Sequence, residues 1–145
     1  LTFLDTEAGV RDLEIRATCA PQAQRIRIQR ARDRARKGLP EVRGLAPSSK
    51  GCLAGGGILF VDAVGRVFPC GYLPLEVGDL RRQPLARILS ESSMLASLRD
   101  TSLLGGRCKG CEFDAVCGGC RARAFGTDGE LFGEEPSCPM GARRP

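Results

Sequence analysis

The sequence predicts a small, cysteine-rich α+β domain of two β-hairpins and short helices, preceded by a single strand–helix unit. Three observations lead to this prediction. Eight cysteines occur in 145 residues, and five of them fall between residues 108 and 138. Short apolar segments are separated by glycine-containing turns, which is typical of hairpins. One alternating segment near the start runs into a stretch of good helix formers.

Length and composition limit the class of protein. A chain of 145 residues forms one ordinary domain, or one small domain with part of another. The net charge of +5 is mild, no apolar run approaches the about 20 residues that span a bilayer, and the first residues do not resemble a secretory signal. We therefore expect a cytoplasmic protein that binds neither a membrane nor nucleic acid. Because the chain begins with Leu, we also expect it to be part of a longer protein.

The first 45 residues predict a strand and a helix. Residues 12–18, "DLEIRAT", alternate polar and apolar side chains, as a strand does. Pro21 opens a run of helix formers that Gly38 and Pro40 end. A strand followed by a helix is one unit of an α/β sheet or barrel, and one such unit cannot form a sheet alone. We therefore expect residues 1–45 to be the incomplete end of a (β/α) barrel and residues 46–145 to be a separate domain.

Two hairpins and two short helices are predicted in the second domain. "GILFVD" and "RVFPC" form the first hairpin around Gly65. Residues 83–100, "QPLARILSESSMLASLRD", form two short helices, the second capped by Ser92. "RARAF" and "ELF" form the second hairpin, with Asp128 and Gly129 at its turn.

The cysteine spacing indicates metal chemistry. Cys108 and Cys111, and likewise Cys117 and Cys120, are C-x-x-C pairs, which are more often metal ligands or redox dithiols than structural disulfides. The five residues between the pairs are few for a zinc ribbon, whose pairs stand about 12–20 residues apart. Iron–sulfur clusters accept a wider spread of thiolates. With Cys138 and two cysteines upstream, there are more thiols than one tetrahedral metal uses, and we expect two sites.

Taken together, Cys52-x12-Gly65-x4-Cys70, then Cys108-x2-Cys111-x5-Cys117-x2-Cys120 and x17-Cys138, resemble the seven-cysteine SPASM region at the C-terminal end of many radical SAM enzymes. The segments "FPCGYLPLEVGDLRRQPLARIL", "VCGGCRARAF" and "ATCAP" are most similar to the tetrapyrrole-modifying branch, which includes heme synthase and the heme d1 maturation enzymes. The resemblance covers the chain from about residue 12 onward.

The resemblance implies that the domain wraps around one or two auxiliary [4Fe–4S] clusters. By analogy with the family, the first cluster would be held by Cys52, Cys70 and Cys120. The second would be held by the remaining four cysteines of the motif: Cys108, Cys111, Cys117 and Cys138. Many family members have three residues where Cys117 and Cys120 enclose two, so a single-cluster domain, with Cys52 and Cys70 as free thiols, stays open.

The resemblance also implies parts that these residues do not supply. Radical SAM enzymes hold their catalytic cluster in a C-x3-C-x2-C loop, and this spacing does not occur here. We therefore expect S-adenosylmethionine and a third cluster to bind a barrel preceding this chain, and these residues alone not to be a complete enzyme. The implied function is electron transfer with an external donor or acceptor during oxidation of a tetrapyrrole propionate, or action on a peptide. A zinc-binding interaction module and a free-standing electron carrier are the alternatives.

Other residues have both a functional and a structural interpretation. Cys19 is a buried thiol at a strand end, or a residue that contacts a ligand or substrate. Arg121 and Arg123, which we expect on a strand, either raise the potential of a nearby cluster or serve solubility. A run of basic residues either meets the carboxylates of a tetrapyrrole or forms the solvated face of a helix; it consists of Arg25, Arg27, Arg30, Arg32, Arg34, Arg36 and Lys37.

Overall fold

A computed structural model describes residues 19–40 and 50–140 of the chain. Within these ranges it contains four α-helices and one three-stranded antiparallel sheet with the strand order β1-β2-β3. The helices are α1 (Gln22–Arg36), α2 (Leu85–Glu91), α3 (Ser93–Arg99) and α4 (Arg121–Asp128), and the strands are β1 (Phe60–Val61), β2 (Arg66–Phe68) and β3 (Gly78–Asp79). Two single-turn 3₁₀ helices, Thr101–Leu103 and Gly106–Cys108, lead into the cysteine-rich loop. No helix in the described ranges has both the length and the apolar character that crossing a membrane requires.

The first predicted hairpin is confirmed. Strands β1 and β2 pair with Phe60 opposite Phe68. Asp62 closes the turn, because its carboxylate accepts hydrogen bonds from the backbone N–H groups of Val64 and Arg66. Gly65 has a φ of +88°, a conformation that glycine adopts without a steric penalty. A third strand, β3, adds to the other edge of β2.

The two short helices are also confirmed, and they cover the sheet. Ser92 caps α3 by accepting a hydrogen bond from the N–H of Leu95. Ile88 of α2 and Leu95 and Leu98 of α3 point into the core and are almost fully buried. They pack with buried residues of the sheet and its loops, namely Ala54, Val67, Cys70 and Leu73. The hydrophobic core therefore lies between the sheet and the α2–α3 pair.

Helix α1 forms where it is predicted and ends before Gly38, which has a φ of +63°. Its start lies against the segment that begins at residue 50: a Cβ on Gly51 would lie 2.5 Å from the carbonyl oxygen of Pro21, so only glycine allows this approach. The predicted strand at residues 12–18 and the predicted boundary near residue 45 lie outside the described residues. The described part of the chain shows no barrel strand before α1.

The second predicted hairpin is wrong. Residues 121–128 form the helix α4, so Arg121 and Arg123 lie on a helix rather than on a strand. Gly129 has a φ of +81° and donates its N–H to the carbonyl of Phe125, which ends the helix. A two-residue hairpin turn and a helix C-cap both require a positive φ. The Asp-Gly pair therefore could not distinguish them, and tertiary packing of Arg121 and Ala124 decided for the helix.

A pair of glycine substitutions tests the packing of the sheet on α2. A Cβ on Gly78 would lie 2.7 Å from side-chain atoms of buried Ile88, whereas Gly126, on the exposed face of α4, has nothing within 4 Å. We expect Gly78→Ala to destabilise the fold by about 1–3 kcal/mol through overpacking. Gly126→Ala is the control and should be neutral or stabilising by up to about 1 kcal/mol. Guanidinium unfolding followed by far-UV circular dichroism measures both, and equal midpoints for the two variants would contradict this packing.

Candidate metal centres

All eight cysteines lie in the described residues, and all are free thiols. Four of them line one cavity of about 380 Å³: Cys108, Cys111, Cys117 and Cys138. We call it the cysteine cavity. These are the four residues that the sequence analysis grouped as ligands of the second cluster. Its volume falls in the range of about 300–1,000 Å³ that is usual for small-molecule and cofactor sites.

Local hydrogen bonds shape the loop that carries three of these cysteines. The N–H of Asp114 donates to the carbonyl of Cys111 at 2.9 Å, and the N–H of Cys117 donates to the carbonyl of Phe113 at 2.7 Å. Phe113 is 1% exposed and anchors the loop in the interior. These consecutive turns bend the backbone around Phe113. The thiols of Cys108, Cys111 and Cys117 therefore line the same cavity, although they would lie far apart in an extended chain.

Cys138 comes to this cavity from the C-terminal loop, and two acidic residues hold that loop in place. Arg107 forms an ion pair with Glu134 at 2.6 Å. This contact and the hydrogen bonds from Arg107 hold the pKa of Glu134 at about 2. The backbone N–H of Glu135 donates to the sulfur of Cys108 at 3.4 Å. The C-terminal loop is therefore fixed directly against the first cysteine of the group.

Glu135 is the most connected residue of the site, and its side chain is 1% exposed. Its carboxylate accepts hydrogen bonds from the backbone N–H groups of Cys120 and Ser137. It also accepts two from the guanidinium of Arg123, at 2.8 and 3.0 Å. Burial by itself would raise the pKa of Glu135, but these hydrogen bonds outweigh burial and lower it. The ionised carboxylate thus connects the start of α4 to the loop that carries Cys138.

The three cysteines grouped as ligands of the first cluster are less clearly assembled. Cys70 is buried in the hydrophobic core, and Cys52 is half-buried and packs against it. Burial raises the pKa of Cys120, and the negative charge of a neighbouring Cys52 thiolate raises it further. The void that Cys52 lines has a volume of about 10 Å³ and includes neither Cys70 nor Cys120. Cys52 therefore lies near both of the other residues, but the void that it lines does not join the three.

Burial also affects the thiols of the cysteine cavity. It raises the pKa of Cys117, although a hydrogen bond from the backbone N–H of Gly119 and the charge of Arg25 act in the opposite direction. Thiolates, not thiols, bind metals, so loading the site must release protons. In residues 19–40 and 50–140, no three Cys, Asp or Glu side chains form a group set to hold a single metal ion.

Two buried arginines test whether an anionic group fits these sites. Arg25 lines the cysteine cavity, is 6% exposed and leaves its Nε without a hydrogen-bond partner. Arg121, 3% exposed, lies beside Cys52 and leaves Nε and Nη2 without partners. A buried cation without a counter-charge is costly. An iron–sulfur cluster with thiolate ligands carries negative charge, so the charge of such a group fits both sites.

Sequence reasoning did not find Glu135 or the burial of the two arginines. The "EEPSC" segment contains Cys138, but the sequence does not show which of its two glutamates, Glu134 or Glu135, is buried. Arg25 stands in a run of seven basic residues, and only the docking of α1 on the loops distinguishes it from its neighbours.

The comparison with known families now defines the class of this domain. Residues 52–121 match the model of the SPASM family, an iron–sulfur cluster-binding domain, and this part of the chain belongs to that family. The predicted resemblance is therefore confirmed.

Individual relatives point to the tetrapyrrole branch. The chain is 43% identical over 126 residues to an AdoMet-dependent heme synthase of Methanosarcina barkeri. The aligned region covers 87% of this chain and 36% of that protein. It is 39% identical over 132 residues to an AdoMet-dependent heme synthase of Nitratidesulfovibrio vulgaris, and this alignment covers 91% of this chain and 36% of that protein. It is 35% identical over 96 residues to a pre-heme d1 synthase of Dinoroseobacter shibae, and this alignment covers 63% of this chain and 24% of that protein. The chain thus spans about a third of the heme synthases' length.

The role of Glu135 predicts the effect of its neutral isostere. Glu135→Gln leaves Arg123 unpaired, which costs about 3–5 kcal/mol in a fully buried pair. Because the Arg123 side chain is 35% exposed, we expect a loss of roughly 2–3 kcal/mol. Guanidinium unfolding of the reconstituted chain measures it, with Glu130→Gln, an exposed neighbour, as the control.

The pH dependence of this loss follows from the lowered pKa of Glu135. A carboxyl whose folded pKa lies below its ordinary value of 4.5 stabilises the fold fully above that value and less as the pH falls through the folded pKa. The difference in stability between Glu135→Gln and the wild type should therefore be constant from pH 6 to pH 8. A difference that disappears within that range would show that Glu135 is not the ionised anchor.

Proposed function

We propose that this chain is the auxiliary-cluster part of a radical SAM oxidoreductase, with the cysteine cavity as the site of one [4Fe–4S] cluster. The observation that carries the proposal is the convergence of Cys108, Cys111, Cys117 and Cys138 on one cavity. Four thiolates complete the coordination of a cubane cluster. Arg25 supports the assignment, because it lines the same cavity, is buried and has an Nε without a hydrogen-bond partner among the described residues.

A second cluster site at Cys52, Cys70 and Cys120 belongs to the same proposal. Burial and then the neighbouring Cys52 raise the pKa of Cys120, and Cys52 packs against the core that contains Cys70. Buried Arg121 supplies a positive charge beside Cys52. Three thiolates leave one iron of a cubane without a protein ligand from this set, which is the arrangement that lets a cluster bind a substrate group.

The substrate class proposed for the complete enzyme is a tetrapyrrole that carries propionate groups. The similarity to proteins named heme synthase and pre-heme d1 synthase supports it. When a propionate that has lost a hydrogen atom becomes a vinyl group, carbon dioxide and one electron leave, and a nearby auxiliary cluster supplies the acceptor for that electron. The residues of this chain would hold the clusters close to the buried arginines Arg25 and Arg121, whose positive charges favour uptake of the electron.

The metal content of the chain tests the proposal. After anaerobic reconstitution we expect about eight irons and matching sulfide per wild-type chain. Cys111→Ser and Cys120→Ser should each reduce iron to about four, because each removes a ligand of a different cluster. Cys19→Ser is the control and should keep the wild-type content, since Cys19 lines neither site.

Other metal contents have distinct meanings. About four irons in the wild type, retained in Cys120→Ser and lost in Cys111→Ser, would restrict the proposal to the cysteine cavity. A colourless protein with stoichiometric zinc would contradict it and indicate a zinc-binding module.

A further inference from the structure

A second cavity, of about 270 Å³, lies between the start of α1, the helix α4 and the C-terminal loop. Gln22, Arg25 and Ile26 of α1 line it together with Arg123 of α4 and Ser137 of the loop. We call it the arginine cavity. It contains none of the seven cysteines proposed as ligands; the one cysteine that lines it is Cys19. Arg25 lines both this cavity and the cysteine cavity.

Two arginines, Arg25 and Arg123, bring positive charge to the arginine cavity, and among the described residues only that of Arg123 is paired. Arg123 is satisfied, because its guanidinium pairs with Glu135 and donates to the carbonyl of Cys19 at 2.8 Å. Arg25 is not. Among the described residues, its side chain donates a hydrogen bond to Gln29 at 2.6 Å, its Nε has no partner, and no carboxylate forms an ion pair with it. The described residues that line the cavity include no Asp or Glu.

The donors of Arg25 exceed what the protein uses. A guanidinium has five N–H donors in a planar fork that matches a carboxylate. Arg25 is 6% exposed, so water does not readily satisfy its Nε, which has no partner among the described residues. The N-terminal turn of α1 also lines the cavity, and the positive end of a helix dipole favours an anion there. Charge, donors and burial together define a site for a small organic anion.

The size of the cavity limits how much of a ligand it holds. Sites that enclose a drug-sized molecule have volumes of about 300–1,000 Å³, so a cavity of about 270 Å³ accommodates a side arm rather than a whole macrocycle. We propose that the arginine cavity binds one propionate carboxylate of the tetrapyrrole substrate through Arg25. This inference rests on the proposed substrate class. Since Arg25 also borders the cysteine cavity, the bound propionate would fix the macrocycle beside that cluster site.

Binding of a porphyrin and its ester tests the inference. Mesoporphyrin carries two propionates, and its dimethyl ester has the same ring without their charge. We expect the reconstituted wild-type chain to bind the diacid at least about tenfold more tightly than the ester in absorbance titrations, since hydrogen bonds between a guanidinium and a carboxylate are about twice as strong as those between neutral groups. Arg25→Gln should lose this preference, and Arg25→Lys, which keeps the charge, should retain part of it. Arg36→Gln, an exposed arginine on the same helix, should retain all of it.

The outcomes separate this inference from the proposed function. Equal binding of diacid and ester to the wild type, or an unchanged preference in Arg25→Gln, would overturn the carboxylate site. So would displacement of the porphyrin by an acidic peptide at equal concentration, which would assign the cavity to peptides. Iron content is measured on the same samples. A chain that holds its iron but binds diacid and ester equally would support the proposed function and contradict the carboxylate site. A chain that holds no iron but still prefers the diacid would contradict the proposed function and support the carboxylate site.

Discussion

The arrangement of the site depends on one buried carboxylate. Glu135 joins the backbone at Cys120, the guanidinium of Arg123 and the backbone at Ser137, while its own N–H contacts the sulfur of Cys108. One ionised group therefore holds the start of α4, the cysteine-rich loop and the C-terminal loop against one another. Its burial is tolerated because every hydrogen bond it accepts favours the charged form.

The charge distribution around the cysteines follows from this arrangement. With no histidine in the chain, thiolates are the principal soft ligands, and each thiolate group brings negative charge into the interior. The protein opposes that charge with two buried arginines, Arg25 and Arg121, each of which has a side-chain nitrogen without a hydrogen-bond partner among the described residues. Arginine can compensate thiolate charge in the interior because its guanidinium stays protonated when it is buried and holds its N–H donors in a fixed planar geometry. Arg25 in addition links the cysteine cavity to the arginine cavity.

Prediction from the sequence succeeded where the determinants are local. The β1–β2 hairpin, the cap at Ser92 and the end of α1 before Gly38 each depend on a few neighbouring residues. It failed at residues 121–132, where the Asp128-Gly129 pair suits a hairpin turn and a helix end equally well. There the burial of Arg121 and Ala124 selected the helix, and burial is a property of the whole fold.

The sequence by itself determined the number of thiols, their C-x-x-C spacing and therefore the family of the domain. Spacing alone could not determine that Cys138 meets the group at residues 108–117, which only the family resemblance implied, since closing that loop depends on Glu134 and Glu135 reaching partners far along the chain. Nor could it select Arg25 from a run of basic residues. Only the tertiary structure decided these points, because burial and ion pairing are set by which surfaces meet, whereas spacing is set by the covalent chain.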